Sequence, residues 1–154
     1  MICVPWPCDR IGGMATTRTA NAHWEGPLLS GQGTVSLDSS KLGTYDVTWA
    51  SRSEEPDGRT SPEELIAAAH STCYSMALSH GLAGAGTPPE KVDTKAEVTF
   101  QPGEGITGIH LTVRASVPGL SAADFEKAAQ DAKAGCPVSK ALAGTTITLD
   151  AALV

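Results

Sequence analysis

Three short runs near the start, residues 19–24, 33–37 and 44–49, have the composition of strands and are separated by Gly26-Pro27, Gly31 and the turn-rich segment 39–43. They predict a three-stranded antiparallel meander. The pattern then lapses, because SRSEEPDGRT, residues 51–60, is polar, contains Pro56 and Asp57-Gly58, and reads as a loop. Residues 60–86, TSPEELIAAAHSTCYSMALSHGLAGAG, follow with apolar side chains at nearly every helical position around Cys73: Leu65, Ile66, Ala67, Ala68, Ala69, Met76, Ala77 and Leu78. This predicts one long helix enclosed by other elements, with Cys73 near its middle. Ser61 and Glu64 form a capping box, and Pro62 suits the first helical position. Gly81, Gly84 and Gly86, backed by Pro88-Pro89, mark the end.

A two-residue period returns in KVDTKAEVTF, residues 91–100, and GIHLTVRASV, residues 108–117, on either side of a turn at 102–105. Together they predict a long hairpin. Ser121 caps a second helix running to residue 134, with Asp124 at its third position and Leu120, Phe125, Ala128, Ala129 and Ala132 on its apolar side. Gly135 breaks it, Cys136-Pro137 opens a short third helix over PVSKALAG, and residues 145–153 form a last strand. Helices that follow hairpins without regular strand–helix alternation indicate an α+β fold and not a doubly wound sheet. Residues 1–13 differ from the rest in their prolines, cysteines and Gly12-Gly13 pair, and read as a loose extension to a single domain over 14–154.

Composition narrows the function. Eleven basic residues against seventeen acidic ones give a net charge of −6, and the basic residues are dispersed, so a nucleic-acid partner is not expected. No apolar run approaches the roughly 18–20 residues that span a bilayer, and the first residues lack a signal peptide's basic and apolar regions, which points to a cytoplasmic protein without a membrane partner. In that setting four cysteines favour catalytic or metal roles over a disulfide framework. Cys3 and Cys8 have a gap that fits poorly with a zinc knuckle.

Two cysteines sit in positions that invite chemistry. Cys136 lies at a helix N-terminus beside Pro137, where free N–H groups favour a thiolate, whereas the apolar surroundings of Cys73 disfavour one. On local grounds Cys136 is the more acidic. For Cys73 to act as a nucleophile it needs a fixed cation, with Arg52 and Arg59 in the preceding loop as candidates and Arg114 on the hairpin as an outsider. Glu63 can anchor such a guanidinium, or simply favour the first helical turn. Glu63 and Cys73 are ten residues apart, about 15 Å along a helix, so they cannot touch. Either a long arginine spans the gap, or the carboxylate comes from the same helix of a second, antiparallel copy in a two-fold homodimer. His70, Cys73 and His80 share helical spacing that admits a metal, but no fourth ligand is evident, and packing is the plainer role for His70. His23 and His110 belong to no constellation, and there is no phosphate-binding loop or nucleophile elbow.

The runs SPEELIAAAHSTCYSMAL and KAGCPVSKAL, with AHWEG near the start and ITLDA near the end, resemble the OsmC branch of the OsmC/Ohr peroxidases from Ala15 onward. The resemblance implies antiparallel sheets packed around a long central helix in an intertwined homodimer. It implies an oxidoreductase that reduces organic hydroperoxides, and hydrogen peroxide more weakly, in the response to oxidative stress, without metal or organic cofactor. By position, Cys73 matches the peroxidatic cysteine, Cys136 the resolving one, and Glu63 the carboxylate that anchors the active-site arginine, for which Arg52 is the choice over Arg59. A Cys73 sulfenic acid would pass to a Cys73–Cys136 disulfide, and an external dithiol would reduce it. The alternative is a non-catalytic dimeric stress or binding protein with structural cysteines.

Overall fold

The computed structural model describes residues 14–154, so the expectation for residues 1–13 lies outside it. The first sheet is the expected meander of β1 (Asn21–Glu25), β2 (Gln32–Ser36) and β3 (Thr44–Val47), antiparallel throughout. Gly33 permits its close pairing, since a Cβ there would press into the His23 carbonyl oxygen and the Trp24 ring. The sheet is exposed along most of its length, Trp24 and Tyr45 included. A small sheet with so little cover is marginal in water.

Residues 51–60 are not all loop. The helix α1 (Trp49–Ser53) occupies their start, because Thr48 and Ser51 form a reciprocal capping box: each side chain accepts the other's backbone N–H at 3.0 Å. Ser51 also donates to the Thr60 carbonyl, and Val47 pairs with Thr60, so the segment between folds back on itself.

The long helix α2 (Pro62–Gly84) starts and stops where expected. Ser61 accepts the Glu64 N–H, but Glu64 does not reach back: its carboxylate accepts the Thr60 hydroxyl at 2.6 Å. At the other end Gly86, at φ +83°, turns the chain so that its N–H and that of Thr87 satisfy the carbonyls of Ala83 and Leu82. The enclosure expected for α2 is one-sided within a single chain. Glu63, His70, Tyr74, Ala77, Leu78 and Leu82 are buried, whereas Ala68, Ala69 and Thr72 are exposed and Met76 is 63% exposed. Small apolar residues on every side made the helix compatible with full enclosure; they did not supply elements to cover it.

The buried stripe packs on a second sheet of order β4-β5-β6. β4 (Lys91–Gln101) and β5 (Gly105–Ser116) form the expected hairpin, and β6 (Ile147–Leu153) joins β5 in parallel. One face carries Val92, Ala96, Ile109, Leu111, Val113, Ala115 and Leu149 into the core, in register across the strands. The other is polar, with ion pairs Lys95–Glu97 and Arg114–Asp150, as expected of a two-layer fold with one wet sheet face. Beside α2 lie α3 (Ala122–Gly135) and α4 (Pro137–Ala141). Ser121 caps α3 as expected, and the buried Tyr74 hydroxyl donates to the Ala129 carbonyl at 2.9 Å, tying α2 to α3.

Candidate active site

Cys73 and Cys136 come together. α2 places Cys73 on the edge of the core, half-buried, while the break between α3 and α4 places Cys136 inside it at 0% exposure. Both are free thiols within hydrogen-bonding reach of one another. Pro137 supplies no N–H, so the first backbone donor of α4 is Val138, and it points at the Cys73 sulfur. The helix-terminal donor that the sequence suggested for Cys136 therefore serves Cys73. Burial is the larger influence and raises the Cys73 thiol above its ordinary value; Val138 opposes it, and the neighbouring Cys136 adds to it. Among the described residues no cation acts on this thiol to favour a thiolate at neutral pH.

The two thiols differ in exposure. A peroxide reaches a half-buried sulfur and not one that is completely enclosed, so only Cys73 is open to an external oxidant. The upward shift of Cys73 by burial is the one its apolar sequence surroundings predict; the difference in access depends on the whole fold and has no local signal.

The other two candidates form a separate pair at the start of α2. Arg52, in the last turn of α1, donates to Glu63 from Nε at 3.1 and 3.3 Å and from Nη2 at 2.9 Å. Glu63 is buried and Arg52 is about one-third exposed. Phe100 completes the cradle: its ring centroid lies 4.2 Å from the guanidinium carbon, and Trp49 meets the same ring edge-on at 5.9 Å. A register shift between Thr99 and Phe100 falls at this point of the hairpin, a place where bulges commonly re-aim a side chain. Nη1 takes no part in the Glu63 pair, which leaves one edge of the cation available. Neither Phe100 nor Trp49 was apparent from sequence, where both read as ordinary strand residues.

Arg59 does not join this cluster. It pairs with its neighbour Asp57 and faces a shallow hollow of about 260 Å³ with His23, Thr34 and Asp46. Arg114 is taken up by Asp150 on the outer sheet face. His70 is fully buried, with Nε2 2.7 Å from the Ser139 hydroxyl. Among the described residues no three His, Cys, Asp or Glu side chains form a metal-binding group, and no helix there is long and apolar enough to cross a membrane.

Committed to Glu63, Arg52 is on the order of 15 Å along the helix from Cys73, at about 1.5 Å per residue. The thiol pair and the cation pair thus occupy different places on one chain, and the option of a single arginine bridging both loses its arginine.

Comparison with known proteins draws these features together. The family described as OsmC-like protein matches residues 55–150. The chain is 45% identical over 140 residues to Peroxiredoxin OsmC of Escherichia coli (strain K12), covering 89% of this chain and 96% of that protein. It is 32% identical over 133 residues to the organic hydroperoxide resistance protein OhrA of Bacillus subtilis (strain 168), covering 83% and 88%. A crystal structure of an organic hydroperoxide resistance protein OsmC from Legionella pneumophila matches with a TM-score of 0.68 at 25% identity, over 91% of this chain and 99% of that one.

Proposed function

Since this chain belongs to the OsmC-like protein family, we propose that Cys73 and Cys136 are the working pair of a thiol-dependent peroxidase acting on organic hydroperoxides. The protein is a cysteine-based peroxidase of the OsmC/Ohr type, with the fold of those proteins. The observation that carries the residue assignment is the juxtaposition of an accessible Cys73, an enclosed Cys136 and the Val138 N–H at one sulfur.

The Cys73 thiolate attacks the terminal oxygen of the hydroperoxide. The S–O bond forms as the O–O bond breaks, and the departing alkoxide takes a proton to become the alcohol. Cys136 then attacks the Cys73 sulfenic acid, releasing water and leaving a disulfide. An external dithiol restores both thiols by exchange. Arg52 is the cation for the first step, held in orientation by Glu63 and stacked on Phe100.

That role requires the cation to approach a Cys73 that is not its own. A homodimer supplies it if α2 of one copy runs antiparallel to α2 of the other, bringing the Arg52–Glu63 pair of each to the thiols of its partner. The exposed Ala68, Ala69, Thr72 and Met76 of α2 and the uncovered first sheet are the surfaces such a partner would cover. A desolvated arginine beside the thiol would offset the upward pull of burial.

Consumption of tert-butyl hydroperoxide in the presence of a dithiol tests the assignment. Cys73→Ser is expected to abolish turnover. With the dithiol left out, Cys136→Ser is expected to consume about one equivalent and stop at the Cys73 sulfenic acid, where the wild type goes on to the disulfide. Undiminished turnover in Cys73→Ser would return the cysteines to a purely structural role.

A further inference from the structure

His70 and Ser139 are 69 residues apart in sequence and meet at 2.7 Å inside the core, at 0% and 7% exposure. The bond joins α2, which carries Cys73, to α4, which begins at Cys136. α4 is a weak element by itself. It has five residues, and its N-cap, Cys136, makes no side-chain capping bond. So short a helix depends on contacts outside itself. Ser139 is three residues beyond Cys136 and one beyond Val138, so whatever fixes Ser139 also fixes the second thiol and the N–H aimed at Cys73.

The choice of side chain supports a directed role. His70 Nδ1 is buried with no hydrogen-bond partner among the described residues. An unpaired N–H is rarer in cores than an unpaired acceptor, which assigns the proton to Nε2, donating to Ser139, with Nδ1 left as a bare acceptor. A ring that leaves one nitrogen unsatisfied is poorer core material than phenylalanine or leucine. Its retained polarity is spent on one partner, the hydroxyl on α4.

We infer that the His70–Ser139 hydrogen bond is the clasp that seats α4 against α2, making both residues positioning residues for the step in which Cys136 condenses with the Cys73 sulfenic acid. In that step the S–S bond forms, the S–O bond of Cys73 breaks, and the hydroxide leaves with the Cys136 thiol proton as water. Without the clasp, α4 samples other positions, and the sulfenic acid waits longer for its partner. The first step depends on α4 only through the single Val138 donor and is affected less. This inference rests on the peroxidase reading above.

Single-turnover oxidation of the reduced protein by one equivalent of tert-butyl hydroperoxide separates the two steps. Loss of peroxide reports attack; the dimedone-trappable Cys73 sulfenic acid and the disulfide, followed by mass, report resolution. Ser139→Ala, and His70→Phe as a volume-filling second variant, are expected to slow resolution about tenfold or more while attack changes by no more than about threefold. The conservative pair Ser139→Thr and His70→Gln should bring resolution back to within about threefold of wild type. An unchanged ratio of the two rates in Ser139→Ala and His70→Phe, whether both steps slow together or neither does, would overturn the clasp. A wild-type protein that consumes peroxide without forming the disulfide would instead defeat the underlying assignment of Cys136.

Discussion

At the scale of single residues, the site is built on two polar groups in apolar surroundings. Arg52 has Glu63 in its plane and the Phe100 face above it, so its position is fixed in two directions. Stacking of a partly desolvated guanidinium on an aromatic face contributes about 0.5–2 kcal/mol. Phe100→Leu keeps the volume roughly constant but removes the π face, and is expected to lower kcat/KM for a hydroperoxide several-fold with the Arg52–Glu63 pair intact. Arg59→Ala should leave kcat/KM unchanged, since Arg59 is engaged with Asp57. His70 contributes differently, through its charge state. Burial lowers its pKa from the ordinary 6.5, so the folded protein holds it neutral while the unfolded chain protonates it. The stabilisation from a neutral His70 is complete above about pH 6.5 and is lost as pH falls through the depressed folded-state value. Cys73 and Tyr74 shift upward, away from this window, and the stabilisation from the depressed carboxyls of Glu97 and Asp150 is present throughout it, being lost only as pH falls below their ordinary 4.5 and 3.8. Denaturant titrations should therefore show stability falling as the pH drops below about 6.5, and His70→Gln should flatten that fall.

At the scale of elements, the parts set by neighbouring residues were readable in the sequence and the parts set by distant ones were not. Ser61, Pro62 and Gly86 determine both ends of α2 through bonds within a few residues, and these boundaries matched their expectations. The alternation of β4 and β5 likewise marked their core face. α1 escaped notice because five residues are too few to show a period; its signal was the Thr48-x-x-Ser51 box, a cue already applied at Ser61. Which arginine would face Glu63 depends on how residues 54–60 fold back, and the contacts of His70 with Ser139 and of Arg52 with Phe100 join segments far apart in the chain. No local pattern encodes them. The small helix nonetheless carries Arg52, the cation proposed for the site, so the proposal extends to its cap. Thr48→Ala should cost about 1 kcal/mol in denaturant unfolding and free α1 to fray. Thr48→Ser should restore both stability and peroxidase rate, because its hydroxyl can accept the same N–H.

At the scale of the whole molecule, one chain presents two half-sites that its own geometry keeps apart. Each is complete in what it contains: two neighbouring thiols with a backbone donor, and a cation with a carboxylate and an aromatic face. Burial raises the Cys73 thiol, and the cation proposed to offset this, Arg52 of α1, is committed to Glu63 in the first turn of α2. A two-fold dimer resolves both facts at once, and mixing inactive variants distinguishes it from a site completed within one chain. Cys73→Ser lacks the nucleophile and Arg52→Ala lacks the cation. After unfolding and refolding together in equal amounts, random pairing makes half the dimers mixed, and each mixed dimer holds one intact site made of Cys73 from one copy and Arg52 from the other. Peroxidase activity should then recover to about one quarter of wild type per chain. If cation and thiol act within one chain, no pairing restores a complete site and the mixture stays as inactive as its components.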